Sequence, residues 1–367
     1  VANSKSSQSQ SSASAPDAIW YSRCGAATAS AIAIRKKWLH EEFARDGIEL
    51  RSLRDSDEKA VLDAHYHHRL PGLFREGGNI PPIWARAGGS DTAVVGITWL
   101  DEYQGILGRK RGPIGDIGDL AGKRLALPVH DNLIDFRRGA AQHAFVTALR
   151  LAGRDARDAT FVDVPAPARA RGDREPATPF EIDALLAGQV DAVFVRFARG
   201  ARVARDARLH PVINLNDQPD PLTRVGNGTP RPITVDRAFL DEHPDLVVRY
   251  LAVLLRVAAW AQRHPDEVLR LLAEEGGADS VEDVVASHGS KVHHGFVPRL
   301  SRQTVDGLEL QKNFLRDHGY LKSDFSIHEW VVREPLVEAE ALVARDPRPF
   351  ETPRSKAAGG AVGARLA

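Results

Sequence analysis

A single cysteine, Cys24, stands in 367 residues, within Ile19-Trp20-Tyr21-Ser22-Arg23-Cys24-Gly25-Ala26-Ala27-Thr28. A strand-like apolar entry gives way to small residues and then to helix formers ending Lys36-Lys37-Trp38-Leu39-His40. The thiol is therefore expected at a helix start. Unpaired backbone N–H groups and the positive end of the dipole favour thiolate there, and Arg23 next door adds to the effect. The plain alternative is a small buried hydrophobe, the usual fate of a free cysteine. A second group of interest is Asp63-Ala64-His65-Tyr66-His67-His68. Histidines this close can share an ion, but no carboxylate or thiol falls at a recognisable ligand interval, so no metal is expected. A third is Arg75, just ahead of Gly77-Gly78. In an ordinary turn it would be a surface arginine. Next to glycines it can instead hold a planar fork where the main chain comes close to a ligand.

These groups need a scaffold, and the bulk composition limits what it can be. The chain is long for one core, and two α/β lobes suit it better. Lys plus Arg and Asp plus Glu both number 49, giving zero net charge and no electrostatic footprint for nucleic acid. Methionine is absent. One cysteine excludes an internal disulfide framework and any multi-thiolate metal site. No apolar run approaches the ~20 residues that span a bilayer. The serine-rich stretch from Val1 to Ala15 has no apolar h-region and reads as a disordered tail, so the expected location is the cytoplasm.

Helix and strand signals alternate, which points to an α/β fold with mainly parallel sheet. A helix is expected from Ala27 to Ala44, a strand over Ile48–Leu53, a short helix opened by Asn79-Ile80-Pro81-Pro82, and a buried strand over Thr92–Ile97. A second unit begins at Ile117-Gly118-Asp119-Leu120-Ala121-Gly122-Lys123-Arg124-Leu125-Ala126-Leu127-Pro128 and contains a helix from Phe136 to Ala152. It also carries a Pro/Arg-rich loop from Pro165 to Pro179 and closes at Ala187–Val195. After Val212–Leu215 come helices over Val235–Gln262, Asp266–Glu275 and Arg302–His318. The expected division is a tail at 1–17, a discontinuous first lobe at 18–112 and 222–348, a second lobe at 113–221, and a tail at 349–367.

Ile19-Trp20-Tyr21 with Cys24, then Asp119-Leu120-Ala121-Gly122-Lys123-Arg124-Leu125-Ala126-Leu127-Pro128, then Leu185-Leu186-Ala187-Gly188-Gln189-Val190-Asp191-Ala192-Val193, resemble the two-lobed substrate-binding proteins of sulfonate, nitrate and taurine transporters. The resemblance implies a periplasmic-binding-protein-like (type II) fold with a ligand cleft between the lobes. Tyr21-Ser22-Arg23-Cys24, His65, Arg75-Glu76-Gly77-Gly78-Asn79-Ile80-Pro81-Pro82 and Val95-Gly96-Ile97-Thr98 resemble, more narrowly, the aromatic sulfinate desulfinases. Phe136-Arg137-Arg138-Gly139 and Gly295-Phe296-Val297-Pro298-Arg299-Leu300 are similar to that family too.

The family resemblance implies an enzyme that cleaves the carbon–sulfur bond of an aryl sulfinate, such as a hydroxybiphenyl sulfinate, and releases sulfite without cofactor or metal. It implies Cys24, His65 and Arg75 as catalytic residues, with His65 bonded to the sulfur of Cys24. Arg75 and Gly78 N–H would hold the sulfinate, whose oxygens suit a guanidinium fork. Arg138 and Gly139, at a helix start on the second lobe, would meet the anion as helix N-termini do. Trp20, Trp84, Trp99 and Phe136 are aromatics near these motifs; Phe136 and Trp99 are assigned to the ring, although core packing is the default for all four. His67 and His68 read as exposed or internally satisfied, and Glu76 is expected to point to solvent. Cys24 would either attack sulfur as thiolate or protonate the ring carbon, and the residues leave both routes open. The expected partner is a small aromatic sulfinate, with no nucleic acid and no membrane, and the expected state is a monomer. The competing reading is a non-catalytic binding protein of an ABC transporter for an organic sulfonate or similar anion. A related enzyme with another aromatic substrate is a third. A pyrimidine-precursor synthase of the same fold would need a cysteine-rich motif that is absent.

Overall fold

The structure is a computed structural model that describes residues 15–22, 27–168, 176, 178–275, 278–347 and 350. Its first sheet is entered by β1 (Ala18–Ser22), β2 (Glu49–Ser52), β3 (Leu73–Glu76) and β4 (Thr92–Thr98). Between them run α1 (Ala29–Arg35), α2 (Trp38–Ala44), α3 (Lys59–His67) and α4 (Ile80–Ala87). The chain crosses to a second sheet of β5 (Gln104–Arg109), β6 (Arg124–Val129), β7 (Thr160–Pro165), β8 (Ala192–Arg196) and β9 (Leu209–Asn214). Helices α5 (Phe136–Leu151), α6 (Phe180–Leu186) and α7 (Phe197–Val203) connect these strands. It then returns through β10 (Arg231–Asp236) and ends in helices: α8 (Arg237–Glu242), α9 (Pro244–Arg263), α10 (Pro265–Glu275), α11 (Val281–His288), α12 (Arg302–Asp317), α13 (Ile327–Trp330) and α14 (Glu334–Arg345).

The sheet orders are β2-β1-β3-β10-β4 and β7-β6-β8-β5-β9. In each, three parallel strands are followed by an antiparallel insertion that belongs to a crossover. This is the two-lobed α/β architecture expected. Strands covered on both faces read as continuous apolar runs, and β4, paired antiparallel with β10, is buried at every residue. Helix α9 is apolar along most of its length: Leu246, Val247, Tyr250, Leu251, Leu254, Val257 and Trp260 are all buried, with Tyr250 stacked on Phe74 of β3 at 4.0 Å.

Several elements differ from expectation. The single helix expected over Ala27–Ala44 is two, α1 and α2, broken at Lys37, whose φ of 62° is left-handed. Lys36 reaches Glu267 on α10, and Trp38 packs edge-on against Trp260 at 5.3 Å, so contacts to the later helices turn the chain. The expected helix from Val235 begins instead as β10 and α8, with a fresh start at Pro244. Asp236 ends the strand by accepting from Phe239 N (2.9 Å) and Gly72 N (2.7 Å). Gln104–Arg109, placed in the first lobe by a boundary at 112, pairs in the second sheet as β5. Residues 1–14, most of the Pro165–Pro179 loop and 351–367 lie outside the described residues.

Candidate functional site

Parallel strands β1 and β3 end side by side, with Ser22 in register with Arg75. In open α/β sheets, the carboxyl ends of parallel strands are where ligands bind. Residues 23–26, and so Cys24, lie outside the described residues. Both flanks of that segment are held in place. On the near side, Ser22 Oγ and His65 Nδ1 share a 2.6 Å hydrogen bond, which joins the end of β1 to α3. On the far side, Arg231 of β10 donates to the Ala27 carbonyl, and Glu76 takes the amides that follow.

Glu76 corrects the expectation that it faces solvent. It is buried at the end of β3, with Ser30 N at 2.8 Å and Ala29 N at 3.3 Å on its carboxylate and Thr98 Oγ1 at 3.1 Å. Thr28 caps the same helix by accepting from Ala31 N at 3.1 Å. The amides expected to support a thiolate are therefore taken by the chain's own carboxylate and hydroxyl. Burial raises the Glu76 carboxyl above the usual range, against the hydrogen bonds from Ser30 and Thr98 and the nearby Arg231 cation.

Arg75 is buried, and its Nη1 donates to the carbonyl of Gly78 at 2.8 Å, which folds the glycine turn back onto the guanidinium. His65 is held down to about 3 by burial, with the Arg75 and Arg54 cations adding to it. It is a neutral imidazole at ordinary pH, suited to orienting a neighbour rather than to serving as a cation. His68 is buried, with Nε2 3.0 Å from Thr234 Oγ1 and Nδ1 without a hydrogen-bond partner among the described residues; burial first and Arg75 second bring it to about 3. Ser22, present in the motif but given no role from sequence, is the partner of His65. Its place immediately before the Arg23-Cys24 pair was the available signal.

Gly78 sits against Asn227, whose Oδ1 receives Ile80 N at 3.0 Å and whose carbonyl receives Asn79 N at 2.8 Å. A Cβ at position 78 would lie 2.8 Å from the Asn227 amide. Gly78→Ala is expected to lower stability by about 1–3 kcal/mol through this overlap, read as a lower thermal midpoint. An unchanged midpoint would show that Asn227 yields freely.

On the second lobe, α5 begins opposite α4. Gly139 is buried where α5 meets Ile80, Leu315 and Tyr320, so it serves close packing between the lobes. Asp135 occupies the α5 N-terminus, accepting from Arg138 N at 3.0 Å and from His130 N at 2.7 Å. The Arg138 side chain pairs with Asp163 at 2.7 Å. The anion site expected at Arg138 is thus already supplied with carboxylates. Phe136 is half-buried at the head of α5, with the Arg137 guanidinium 5.2 Å from its ring. Trp99 follows β4 in the first crossover, donates Nε1 to Asp101 at 3.1 Å, and packs against Gly307 of α12. Tyr66 OH meets Asn132 Oδ1 at 3.5 Å, so α3, which bears His65, also touches the second lobe.

Among the described residues there is no group of three His, Cys, Asp or Glu side chains placed to hold a metal ion, and no helix is long and apolar enough to cross a membrane.

No family model matches the chain. It is 28% identical over 363 residues to the 2'-hydroxybiphenyl-2-sulfinate desulfinase of Rhodococcus erythropolis, covering 87% of this chain and 93% of that protein. Among solved structures, a cysteine-to-serine variant of the desulfurization enzyme DSZB, in complex with biphenyl-2-sulfinic acid, is similar with a TM-score of 0.68 and 23% identity. The match covers 89% of this chain and 99% of that one. The periplasmic aliphatic sulphonate binding protein SsuA of Escherichia coli is similar with a TM-score of 0.62 and 16% identity, covering 87% and 93%. By fold, the chain has the two-lobed α/β architecture common to that enzyme and that binding protein; by sequence, it is similar to the sulfinate desulfinase along nearly its whole length.

Proposed function

We propose that this chain is a desulfinase that hydrolyses the carbon–sulfur bond of an aryl sulfinate. The ring carbon gains a proton, sulfur gains the oxygen of water, and bisulfite leaves with the charge the sulfinate brought. One observation carries the reading. Ser22, His65 and Arg75 converge at the ligand-facing ends of β1 and β3, two residues before Cys24, in a chain similar to a sulfinate desulfinase over 87% of its length.

Arg75 holds the sulfinate oxygens, and Gly78 N–H lies on the same turn. Cys24 is the reacting group, and His65, kept neutral and anchored through Nδ1 to Ser22, presents Nε2 to its sulfur. With the α1 amides taken by Glu76 and Thr28, the helix dipole is not what would ionise the thiol. That favours the route in which Cys24 donates its proton to the ring carbon. The carbon–sulfur bonding pair takes up the proton, sulfur dioxide departs, and water converts it to bisulfite and a proton that restores the thiol. Both routes hydrolyse the bond.

The test is sulfite release from 2-(2-hydroxyphenyl)benzenesulfinate by the purified protein. Sulfite appearing with an equal amount of 2-hydroxybiphenyl is the expected result. A thermal shift with that compound or a sulfonate, and no sulfite, would move the chain to the binding-protein reading.

A further inference from the structure

The floor between the lobes carries a charged group that neither the sulfinate nor the thiol uses. Glu102 of the first crossover is buried and shared by two guanidiniums, Arg231 at 3.0 Å and Arg196 at 3.2 Å. Arg231 opens β10 and touches Ala27 at the mouth of α1, while Arg196 ends β8 on the second lobe. The three side chains thus run from the reaction segment of one lobe to the strand edge of the other. Arg231 and Glu102 have at most 1% of their side chains exposed, whereas Arg196 keeps 17%, so Arg196 is the most open of the three. Gly228 permits the arrangement, because a side chain there would occupy the place of the Glu102 carboxylate.

Phe197, the next residue, has a φ of 58°. A bulky side chain in the left-handed region is strained, and such strain gathers at ligand clamps and active sites. The strained turn lays the Phe197 ring against the Arg196 guanidinium, 4.0 Å from its centroid, while Phe197 N is tied to the Tyr103 carbonyl at 3.1 Å. A guanidinium stacked on a ring and fixed by a carboxylate has lost most of its freedom before a ligand arrives. His288 nearby is brought down to about 4, by burial first and then by the Arg231 cation, with Arg196 adding to it.

We propose that Arg196 and Phe197 form a second ligand-binding element on the cleft floor, which takes a carboxylate carried on the ring remote from the sulfinate. The proposal rests on the aryl sulfinate reading and narrows its substrate to a doubly anionic one. Lobe I holds the sulfinate through Arg75, and lobe II holds the second anion through the Arg196 fork, with Phe197 beside the ring.

The test is calorimetric titration with biphenyl-2-sulfonate and with 2'-carboxybiphenyl-2-sulfonate, probes that keep the oxyanion and need no turnover. A hydrogen-bonded charge pair of this kind is worth about 1.5–3 kcal/mol, so wild type is expected to bind the carboxylated probe at least about tenfold tighter. Arg196→Gln is expected to abolish that preference while holding the parent probe within about threefold. Arg196→Lys, which keeps the charge but not the fork, should retain part of it, and thermal midpoints check that both variants fold. Equal affinities in wild type, a loss in Arg196→Gln shared by both probes, or binding of neither overturns the proposal. Sulfite release is read separately: sulfite without a carboxylate preference sinks this inference alone, and a preference without sulfite sinks the desulfinase reading alone.

Discussion

Cys24→Ser is expected to reduce sulfite release below detection while the protein still binds the sulfinate, and Arg75→Lys is expected to do the reverse in kind. Serine is nearly the size of cysteine, but its hydroxyl is a far weaker acid and nucleophile at neutral pH, so either chemical route fails with it. Binding is carried elsewhere, on the guanidinium in register with Ser22. Lysine at position 75 keeps the charge yet loses the planar fork and the bond that folds Gly78 onto it. The loss for Arg75→Lys should fall mainly in KM, with kcat/KM lower by about one to two orders of magnitude, since a bidentate charged contact becomes a point charge. Steady-state sulfite assays with a titration of the sulfinate separate the two effects. Retained turnover in Cys24→Ser would remove the cysteine from the mechanism, and an unchanged KM in Arg75→Lys would remove the guanidinium from the anion site.

The parts of this site that could be read along the chain are those whose meaning is local. Strands covered on both faces announce themselves as apolar runs such as Ala93–Ile97, and α5 begins and ends within a residue of where its pattern does. The His65 and Arg75 motifs marked residues that do meet at one sheet edge. What could not be read is what depends on a distant partner. Glu76 looks like a solvent-facing acid until the amides of Ala29 and Ser30, some 46 residues earlier, are brought onto it. Arg138 looks like an anion ligand until Asp163 is placed beside it by the β6–β7 pairing. The break at Lys37 has no proline or glycine to announce it, because its cause lies in α9 and α10. Arg196, Glu102 and Arg231 are far apart in sequence, and no spacing rule connects them.

Mild acid is expected to destabilise the fold steeply, well before carboxylate titration dominates. Four histidines, His68 and His143 buried and His65 and His288 half-buried, sit far below their usual value: His65 and His68 at about 3, His143 and His288 at about 4, with desolvation the leading cause in each. Each is neutral in the folded chain and takes up a proton on unfolding once the pH falls below about 6.5. Between about 6.5 and 4 the unfolded state therefore binds more protons, and stability rises with pH across that window. At pH 5.5 each histidine costs about 1.25 kcal/mol relative to neutral pH, so the four together cost about 5 kcal/mol, a large part of a typical folding free energy. The buried carboxyls of Glu76, Glu181 and Asp236 are raised, so the folded chain holds their protons above the unfolded range and they subtract from the slope. Asp135 and Asp191 are lowered and lose their contribution only as the pH falls further. Urea unfolding between pH 5 and 7.5 measures the net effect, and its slope near pH 5 should correspond to uptake of up to about four protons, less those held by the raised carboxyls. His68→Gln keeps an amide donor for Thr234 and should reduce that slope by about one proton. A flat stability across the same range, unchanged in slope by His68→Gln, would mean that these imidazoles are already protonated in the folded chain. His65 could not then be the neutral group that presents Nε2 to the sulfur, and the acid–base assignment at the reaction centre would have to be reversed.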